Sequence, residues 1–154
     1  MKHWRKLAFV LAVSLGLAAW AGADDVISAG QPDEATVEQY AAAGYKTVID
    51  LRTAGEDRGM DEPAVVAAAG MKYVSLPVSR SDITFEKAKQ LDALLGSEEG
   101  PVVLHCGSGN RVGALMALRA SLKGKSDDEA LQVGREFGLT GLAERVEAVL
   151  EKAD

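Results

Sequence analysis

The sequence predicts an α/β fold with a central, mostly parallel sheet of four to five strands flanked by helices. Three observations support this class. Short segments rich in Val, Ile and Tyr alternate along the chain with segments of helical apolar spacing. Segment 101–105 (PVVLH) is almost entirely apolar, which is typical of a central strand buried on both faces. Two further helical segments follow the helix expected after this strand, so we expect extra helices at the C-terminal end.

The first half of the chain alternates strands with helices. A helix is expected from Pro32, a residue suited to the first helical turn, and Gly44 marks its end. The polar segment 52–62 reads as a loop, and the Ala- and Val-rich helix 63–69 is closed by Gly70. The strands of this half are expected at 26–28 (VIS), 47–51 (TVIDL) and 73–78 (YVSLPV).

The second half adds one strand and four helices. Thr84 is an expected N-cap, and the sequence Ser126-Asp-Asp-Glu129 is a capping box. The Gly-rich segment 106–110 (CGSGN) is expected to form a tight loop after the fourth strand. The helices are expected at 84–95, 111–122, 126–138 and 140–150.

The N-terminal segment has the pattern of a secretory signal peptide. The basic segment 1–6 (MKHWRK) precedes the uncharged apolar run 7–20, and Ala21-Gly22-Ala23 forms a small-x-small cleavage site. The sequence therefore predicts a signal peptide at 1–23, a single domain at 24–154, periplasmic localisation and no stable membrane association after cleavage. The alternative is an uncleaved N-terminal anchor.

Composition excludes several classes of function. The chain has 17 basic and 23 acidic residues, and cleavage of 1–23 would remove three basic residues and no acidic one, giving a net charge of −9. This charge argues against nucleic acid as a partner. A single Cys permits no internal disulfide, and one Cys with one His in segment 24–154 cannot form a Cys/His zinc site, so we predict no metal. No dinucleotide fingerprint is present, and the oligomeric state stays open.

The loop after the fourth strand carries the chemical signal. Gly107 and Gly109 allow a tight turn whose N–H groups form an anion-binding nest, and the following helix N-terminus adds donors. Arg111 supplies a planar fork for an oxyanion, and Cys106 among these dipoles is a candidate nucleophile. The alternative for Cys106 is a small buried apolar residue. Strand alternation points His105 away from the thiol, so we assign it an orienting role.

The chain resembles cysteine-dependent protein phosphatases in several segments. Besides the His-Cys, Gly-rich and Arg sequence, the resemblance to dual-specificity phosphatases rests on 29–32 (AGQP), 44–52 (GYKTVIDLR) and 70–78 (GMKYVSLPV). Over residues 26–120 the chain is identified as a member of the bacterial beta-lactamase hydrolase-like, phosphatase-like family. The resemblance implies a protein-tyrosine-phosphatase-like fold, a phosphorylated protein or small molecule as substrate, and no cofactor.

The family also implies site residues. The thiolate corresponding to Cys106 attacks phosphorus, and an acid from an earlier loop, for which Asp82 is the candidate, protonates the leaving oxygen. The alternative for Asp82 is a solvated loop residue or a helix cap near Thr84. By the same resemblance, the phosphoryl oxygens are held by Gly107, Ser108, Gly109, Asn110 and Arg111.

Two departures keep other functions open. Four residues, not the five typical of these phosphatases, separate Cys106 from Arg111, and this shorter spacing resembles rhodanese sulfurtransferases. Val112 stands where the phosphatase pattern has Ser or Thr. A sulfurtransferase that takes a persulfide from a sulfane-sulfur donor onto Cys106, and a catalytically weak oxyanion-binding module, are therefore the alternatives.

The loop after the second strand is the remaining candidate region. Arg52, Glu56 and Arg58 follow a strand end on the same side of the sheet as Cys106. They either line the pocket or form surface salt bridges, and we favour the surface salt bridges.

Overall fold

The computed structural model describes residues 25–153, in which four strands alternate with four α-helices and two more α-helices follow. The predicted signal peptide at 1–23 lies outside the described residues. No helix within 25–153 is long and apolar enough to cross a membrane. The elements are β1 (Val26–Ala29), α1 (Glu34–Ala42), β2 (Thr47–Asp50), α2 (Glu62–Ala68), β3 (Lys72–Ser75), α3 (Phe85–Ser97), β4 (Val102–His105), α4 (Asn110–Leu122), α5 (Asp127–Glu136) and α6 (Ala143–Leu150), with a 3-10 turn at Arg80–Asp82.

The four strands form one parallel sheet in the order β1-β4-β2-β3. The prediction of an α/β fold with a parallel sheet is confirmed, with four strands in the described chain. Strand β4 lies between β1 and β2, and all its residues are buried, as its apolar sequence predicts. The register pairs His105 with both Ala29 and Asp50, so the carboxyl ends of the three strands lie side by side.

Two apolar cores cover the two faces of the sheet. Alternate strand residues point to opposite faces, so Val48 and Val103 pack with α1 and α2, while Ile49 and Leu104 pack with the helices from α3 onward. The second face is the larger, because α5 and α6 extend its core beyond α4. The predicted extra C-terminal helices are therefore part of the layer that covers the sheet.

Local capping explains most helix boundaries. Thr84 and Ser126 cap α3 and α5, as predicted, and Ser126 forms the expected capping box with Glu129. Helix α1 begins two residues later than predicted, because Asp33 accepts a hydrogen bond from Thr36 and acts as its N-cap. The last helix begins at Ala143 and not at Thr140.

The third strand is shorter than predicted. Regular pairing ends at Ser75, although the N–H groups of Leu76 and Val78 still donate to the carbonyl oxygens of Asp50 and Leu51. The ladder becomes irregular because Val78 donates to Leu51, one residue short of the Arg52 carbonyl that a regular parallel register would use. Pro77 between them is tolerated because its nitrogen faces away from β2, at the open edge of the sheet. This irregular extension carries the chain past the end of β2 towards the loop that follows β4.

Candidate active site at the carboxyl end of the sheet

The site begins where β4 ends. His105 is the last residue of this strand and Cys106 the first residue of the loop, and both are buried. Cys106 packs with the core beneath α3 to α6, whereas His105 contacts Glu62 on the opposite face. The predicted separation of the two side chains is what the structure shows, and it gives each neighbour a different environment.

The cysteine loop closes around the sulfur. Gly109 adopts a left-handed backbone with φ +85° and is the N-cap of α4. Its N–H donates to the Cys106 Sγ at 3.1 Å. A side chain at this position would be strained at this φ, so glycine is what allows the N–H to point inward. The N-terminus of α4 thus places an N–H donor against the sulfur.

Arg111 is held in place by Glu56. The guanidinium Nη1 and Nη2 donate to the two Glu56 oxygens at 2.7 and 2.5 Å, and Nη1 also donates to the Val78 carbonyl oxygen at 3.1 Å. The hydrogen bonds from Arg111 lower the pKa of Glu56 to about 2, so the pair is ionic at neutral pH. Hydrogen bonding to Glu56, aided by the neighbouring Cys106, raises the pKa of Arg111 although burial opposes it.

An open cleft of about 370 Å³ lies over this arrangement. Four segments of the chain contribute to it: the loop after β2, the turn after β3, the cysteine loop and the start of α6. Its lining residues are Thr53, Glu56, Ser79, Arg80, Ser108, Asn110, Arg111 and Leu142.

Two of the predicted anion-binding residues have further contacts. The Oδ1 of Asn110 accepts hydrogen bonds from the N–H groups of Thr140 and Leu142, so this side chain anchors the segment before α6. The Gly107 carbonyl oxygen accepts from the Gln31 N–H at 3.0 Å, which ties the loop to the segment after β1. Both contacts fix the loop from outside.

Asp82 is a capping residue in this conformation. Its carboxylate accepts hydrogen bonds from the Ser79 N–H at 2.8 Å and the Ser79 hydroxyl at 2.6 Å. These bonds lower the pKa of Asp82 and favour its ionised form. Asp82 therefore closes the capping box of the 3-10 turn with Ser79, whereas Thr84 itself caps α3, and Asp82 is not among the residues that line the cleft.

His105 belongs to a buried polar cluster on the other face of the sheet. We call this cluster the ion network; its members are Asp50, Arg52, Glu62 and His105. Its Nε2 lies 2.6 Å from a Glu62 oxygen, and its Nδ1 lies 3.3 Å from the Cys106 carbonyl oxygen. Arg52 is fully buried and donates to Glu62 and to both oxygens of Asp50. The imidazole is thus held between an acidic group and the backbone that leads into the loop.

The ion network is close to balanced in charge. Asp50 also accepts from Arg58 at 3.2 Å and from the Tyr73 hydroxyl at 2.8 Å. The hydrogen bonds from Arg52, with help from His105, hold the pKa of Asp50 well below its usual range although burial opposes them. Asp50, Glu62 and His105 offer ligand-type atoms within 4.8 Å of one another, but the Arg52 guanidinium already bonds both carboxylates. The cluster therefore has the composition of a buried ion-pair network.

The sequence interpretation of the 52–58 loop was wrong for Arg52, which is buried and structural. Glu56, by contrast, lines the cleft. Glu62 was missed, because no local pattern relates the first residue of α2 to a histidine 43 positions later. The segment Asp50-Leu51-Arg52 was the available signal, since an acid and a base at a buried strand end require partners.

The sequence comparisons agree with this geometry. Residues 21–123 match the family described as beta-lactamase hydrolase-like protein, phosphatase-like domain. The beta-lactamase hydrolase-like protein of Agrobacterium fabrum is 34% identical over 116 residues, which cover 73% of this chain and 26% of that protein. The relative from Xylella fastidiosa strain Temecula1 is 33% identical over 114 residues. The chain spans about a quarter of the length of these curated relatives.

Solved structures share the fold. A proposed phosphatase from Neisseria meningitidis superposes with a TM-score of 0.71 at 26% identity, covering 82% of this chain and 94% of that one. The TpbA protein of P. aeruginosa, bound to phosphotyrosine, gives a TM-score of 0.59 at 25% identity, with 84% and 80% covered. The fold is therefore that of the protein tyrosine phosphatases. With a family match over most of its length and a cysteine loop at the carboxyl end of β4, the chain belongs to the phosphatase-like domain family of the beta-lactamase hydrolase-like proteins.

Proposed function

We propose that the protein is a periplasmic phosphomonoesterase whose nucleophile is the Cys106 thiolate. The observation that carries this proposal is the 3.1 Å hydrogen bond from the Gly109 N–H to Sγ, at the N-terminus of α4 and beside the Arg111 guanidinium. A buried, purely apolar cysteine needs no such donor. The predicted signal peptide at 1–23 supports export.

The reaction follows from the groups around the sulfur. The Cys106 sulfur attacks phosphorus, the bond from phosphorus to the ester oxygen breaks, and the departing oxygen takes a proton. Arg111 and the N–H groups of Gly107, Ser108 and Asn110 hold the phosphoryl oxygens as charge develops on them, whereas the Gly109 N–H stays on Sγ. Water then attacks phosphorus in the phosphocysteine, which releases inorganic phosphate and restores the thiolate.

The second step needs a group that stabilises the leaving thiolate. Val112 is fully buried and offers no hydroxyl. The Gly109 N–H already bonds Sγ and takes this role, because it stabilises negative charge on sulfur whether the thiolate attacks or leaves.

Asp82 stays our candidate for the acid of the first step. To donate a proton it must take one up and exchange the two Ser79 hydrogen bonds for the leaving oxygen. If it does, Asp82→Asn lowers kcat by about 10²-fold or more and removes the basic limb of the pH profile. An unchanged profile assigns Asp82 to capping alone.

Hydrolysis of p-nitrophenyl phosphate by the purified protein is the direct test. We expect activity between pH 5 and 8, and its loss in Cys106→Ser, with trapping of a phosphoryl group on Cys106 during turnover. Ser97→Ala, at the end of α3, is the control because its hydroxyl contacts only the Leu94 carbonyl oxygen. Absence of hydrolysis in the wild-type protein contradicts the proposal.

The spacing between Cys106 and Arg111 favours sulfur transfer as a second candidate function. The Cys106 thiolate would attack the outer sulfur of a donor such as thiosulfate, whose S–S bond breaks to release sulfite and leave a persulfide on Cys106. Cyanide would then take the outer sulfur as thiocyanate and restore the thiolate. Mass spectrometry after incubation with thiosulfate detects the added sulfur. Binding of phosphate without either activity, and its loss in Arg111→Ala, would instead identify an oxyanion-binding module.

Localisation has its own test. We expect the full-length chain, expressed in a Gram-negative bacterium, to appear in the periplasmic fraction and to begin at Asp24. Recovery of a membrane-bound chain that retains residues 1–23 contradicts this prediction and supports the anchor.

A further inference from the structure

Two arginines beside the cleft differ from the other arginines near the site. Arg52, Arg58, Arg111 and Arg119 each form an ion pair with a carboxylate. Within residues 25–153, Arg80 and Arg145 form none. Arg135 also forms none within this range, but it lies on α5 and lines neither depression, so what distinguishes Arg80 and Arg145 is that they lack an ion pair and lie beside the cysteine loop.

Both arginines lie at one continuous depression. Arg80 lines the cleft over the cysteine loop and also an adjoining pocket of about 540 Å³, whose other lining residues are Ser79, Ser81 and Arg145. Arg80 is two residues beyond Val78, whose carbonyl oxygen accepts from Arg111. The same short turn therefore connects the phosphate-binding arginine with the two arginines of the neighbouring pocket.

The position of Arg145 is fixed by the fold. Its Nη2 donates to the Ile83 carbonyl oxygen at 3.4 Å, which links α6 to the turn before α3. Its Nε is buried, and no hydrogen-bond partner for it exists in the described chain. A buried N–H without a partner is costly, and a ligand acceptor is one way to satisfy it.

The nearby acids do not compete for these arginines. Glu56 is occupied by Arg111, and Asp82 accepts two hydrogen bonds from Ser79. Within residues 25–153, no carboxylate therefore lies within 4.0 Å of the Arg80 or Arg145 guanidinium.

We propose that Arg80 and Arg145 form a second-anion subsite, so that the preferred substrates are phosphate monoesters carrying a further carboxylate or phosphate next to the scissile group. This inference rests on the proposed phosphomonoesterase function, because it places the scissile phosphate over Cys106. The second anion then lies across Ser79 and bonds the two guanidinium groups. The positive charges of Arg80 and Arg145 also offset the repulsion that an acidic protein exerts on a multiply charged substrate.

A matched pair of substrates tests the subsite. The probes are 4-carboxyphenyl phosphate and 4-carbamoylphenyl phosphate, which share their shape and differ by one negative charge. The measured quantity is the ratio of their kcat/KM values, in the wild type and in the Arg80→Gln/Arg145→Gln double variant. We expect each arginine to contribute about two- to fivefold to this ratio, and added salt to reduce it.

The control is Arg135→Gln, since Arg135 lies on α5, outside both depressions, and also forms no ion pair within residues 25–153. We expect this variant to keep the wild-type ratio. An equal ratio in the wild type and the double variant overturns the subsite, as does an equal loss in Arg135→Gln, which would indicate a general effect of net charge.

Two further arms separate the possible failures. Calorimetry measures how tightly Cys106→Ser binds the same two esters, and these affinities report on the subsite without any hydrolysis. If the wild type hydrolyses neither ester, that failure contradicts only the proposed function. Phosphotyrosine peptides with Glu or Gln beside the phosphorylated residue distinguish the sources of the second anion. If the Glu-to-Gln ratio of the peptides depends on the two arginines, the second anion belongs to a peptide. If only the ratio of the small esters depends on them, the second anion belongs to a small molecule. No arginine dependence in either pair overturns the proposal.

Discussion

The neighbours His105 and Cys106 enter two polar regions of opposite character. On the α1 and α2 face, His105 contacts the ion network, where the fully buried Arg52 bonds the equally buried Asp50 and Glu62. On the other face, the cysteine loop opens to a cleft bordered by Arg80, a cation without a carboxylate partner in the described chain.

This difference separates support from binding. Buried charges in the network are paired because an unpaired charge in the core would cost several kcal/mol. Of the two arginines that line the cleft, Arg111 is oriented by a carboxylate and Arg80 has no carboxylate partner in residues 25–153. A charged side chain that is paired within the protein fixes the position of the backbone, whereas one without a partner in the protein can replace its bound water with substrate. The two regions meet at the Cys106 carbonyl oxygen, which lies 3.3 Å from His105 Nδ1.

Breaking the ion network is expected to have the largest effect. Glu62→Ala leaves Arg52 and His105 without their shared carboxylate in the core. We expect the free energy of unfolding to fall by about 3–5 kcal/mol, because the remaining charges stay buried. Urea unfolding measures this loss.

The control for this variant is Asp92→Asn, which weakens the partly exposed pair with Arg119 and should cost less than about 1 kcal/mol. Equal losses in the two variants would mean that the network contributes no more than a surface ion pair.

Removing the charge of Glu56 tests the single carboxylate on the cleft side. Glu56→Gln keeps the shape but weakens the hydrogen bonds that orient Arg111, so we expect kcat/KM for p-nitrophenyl phosphate to fall about 10- to 100-fold. Because the pKa of Glu56 is lowered to about 2, its contribution to stability is present above pH 4.5 and is lost as the pH falls through 2. This contribution is therefore constant near pH 7 in the wild type and missing from Glu56→Gln. A variant with wild-type kinetics would show that Arg111 needs no orienting partner.

The sequence predicted the cleft side better than the network side. Cys106, Gly109 and Arg111 lie within six consecutive positions, so their spacing indicates a loop at a helix N-terminus. The parallel sheet followed equally from local patterns, because each strand is a short apolar run.

The missed contacts are those that join distant segments. The pairing of Arg111 with Glu56 spans 55 positions, and that of His105 with Glu62 spans 43. Neither pair has a periodic signal, since the order of strands in the sheet, and not the chain, brings them together. Strand order β1-β4-β2-β3 was not predicted, and it is what places the loop after β2 beside the loop after β4.

Packing behind the cysteine loop should be sensitive to one added methyl group. Gly113 on α4 faces α5, and a Cβ there would clash with the Leu139 nitrogen and lie 2.5 Å from the Gly134 carbonyl oxygen. We expect Gly113→Ala to cost about 1–3 kcal/mol, because backbone cannot move aside as a flexible side chain can.

Gly96 is the matched control for Gly113→Ala. It also lies in a helix, but a Cβ added there would have no other atom within 4 Å, so Gly96→Ala should stabilise the protein by up to about 1 kcal/mol. Thermal unfolding compares the two, and a stabilising Gly113→Ala would show that α4 and α5 are not in close contact in solution.

The smallest expected effect is at the rim of the ion network, where Tyr73 donates its hydroxyl to Asp50 at 2.8 Å. Tyr73→Phe removes one hydrogen bond of a carboxylate that keeps those from Arg52 and Arg58, so we expect the free energy of unfolding to fall by about 0.5–1.5 kcal/mol.

Burial, and then the hydrogen bond to Asp50, raise the pKa of Tyr73 to about 12. The neutral phenol therefore stabilises the fold fully below pH 10, and this contribution is lost as the pH rises towards 12. The gap in stability between wild type and Tyr73→Phe should accordingly narrow from pH 9 to pH 12 in urea titrations. If the difference in free energy of unfolding between wild type and Tyr73→Phe does not depend on pH, the Tyr73 hydroxyl contributes through packing and not through the proton that it donates to Asp50.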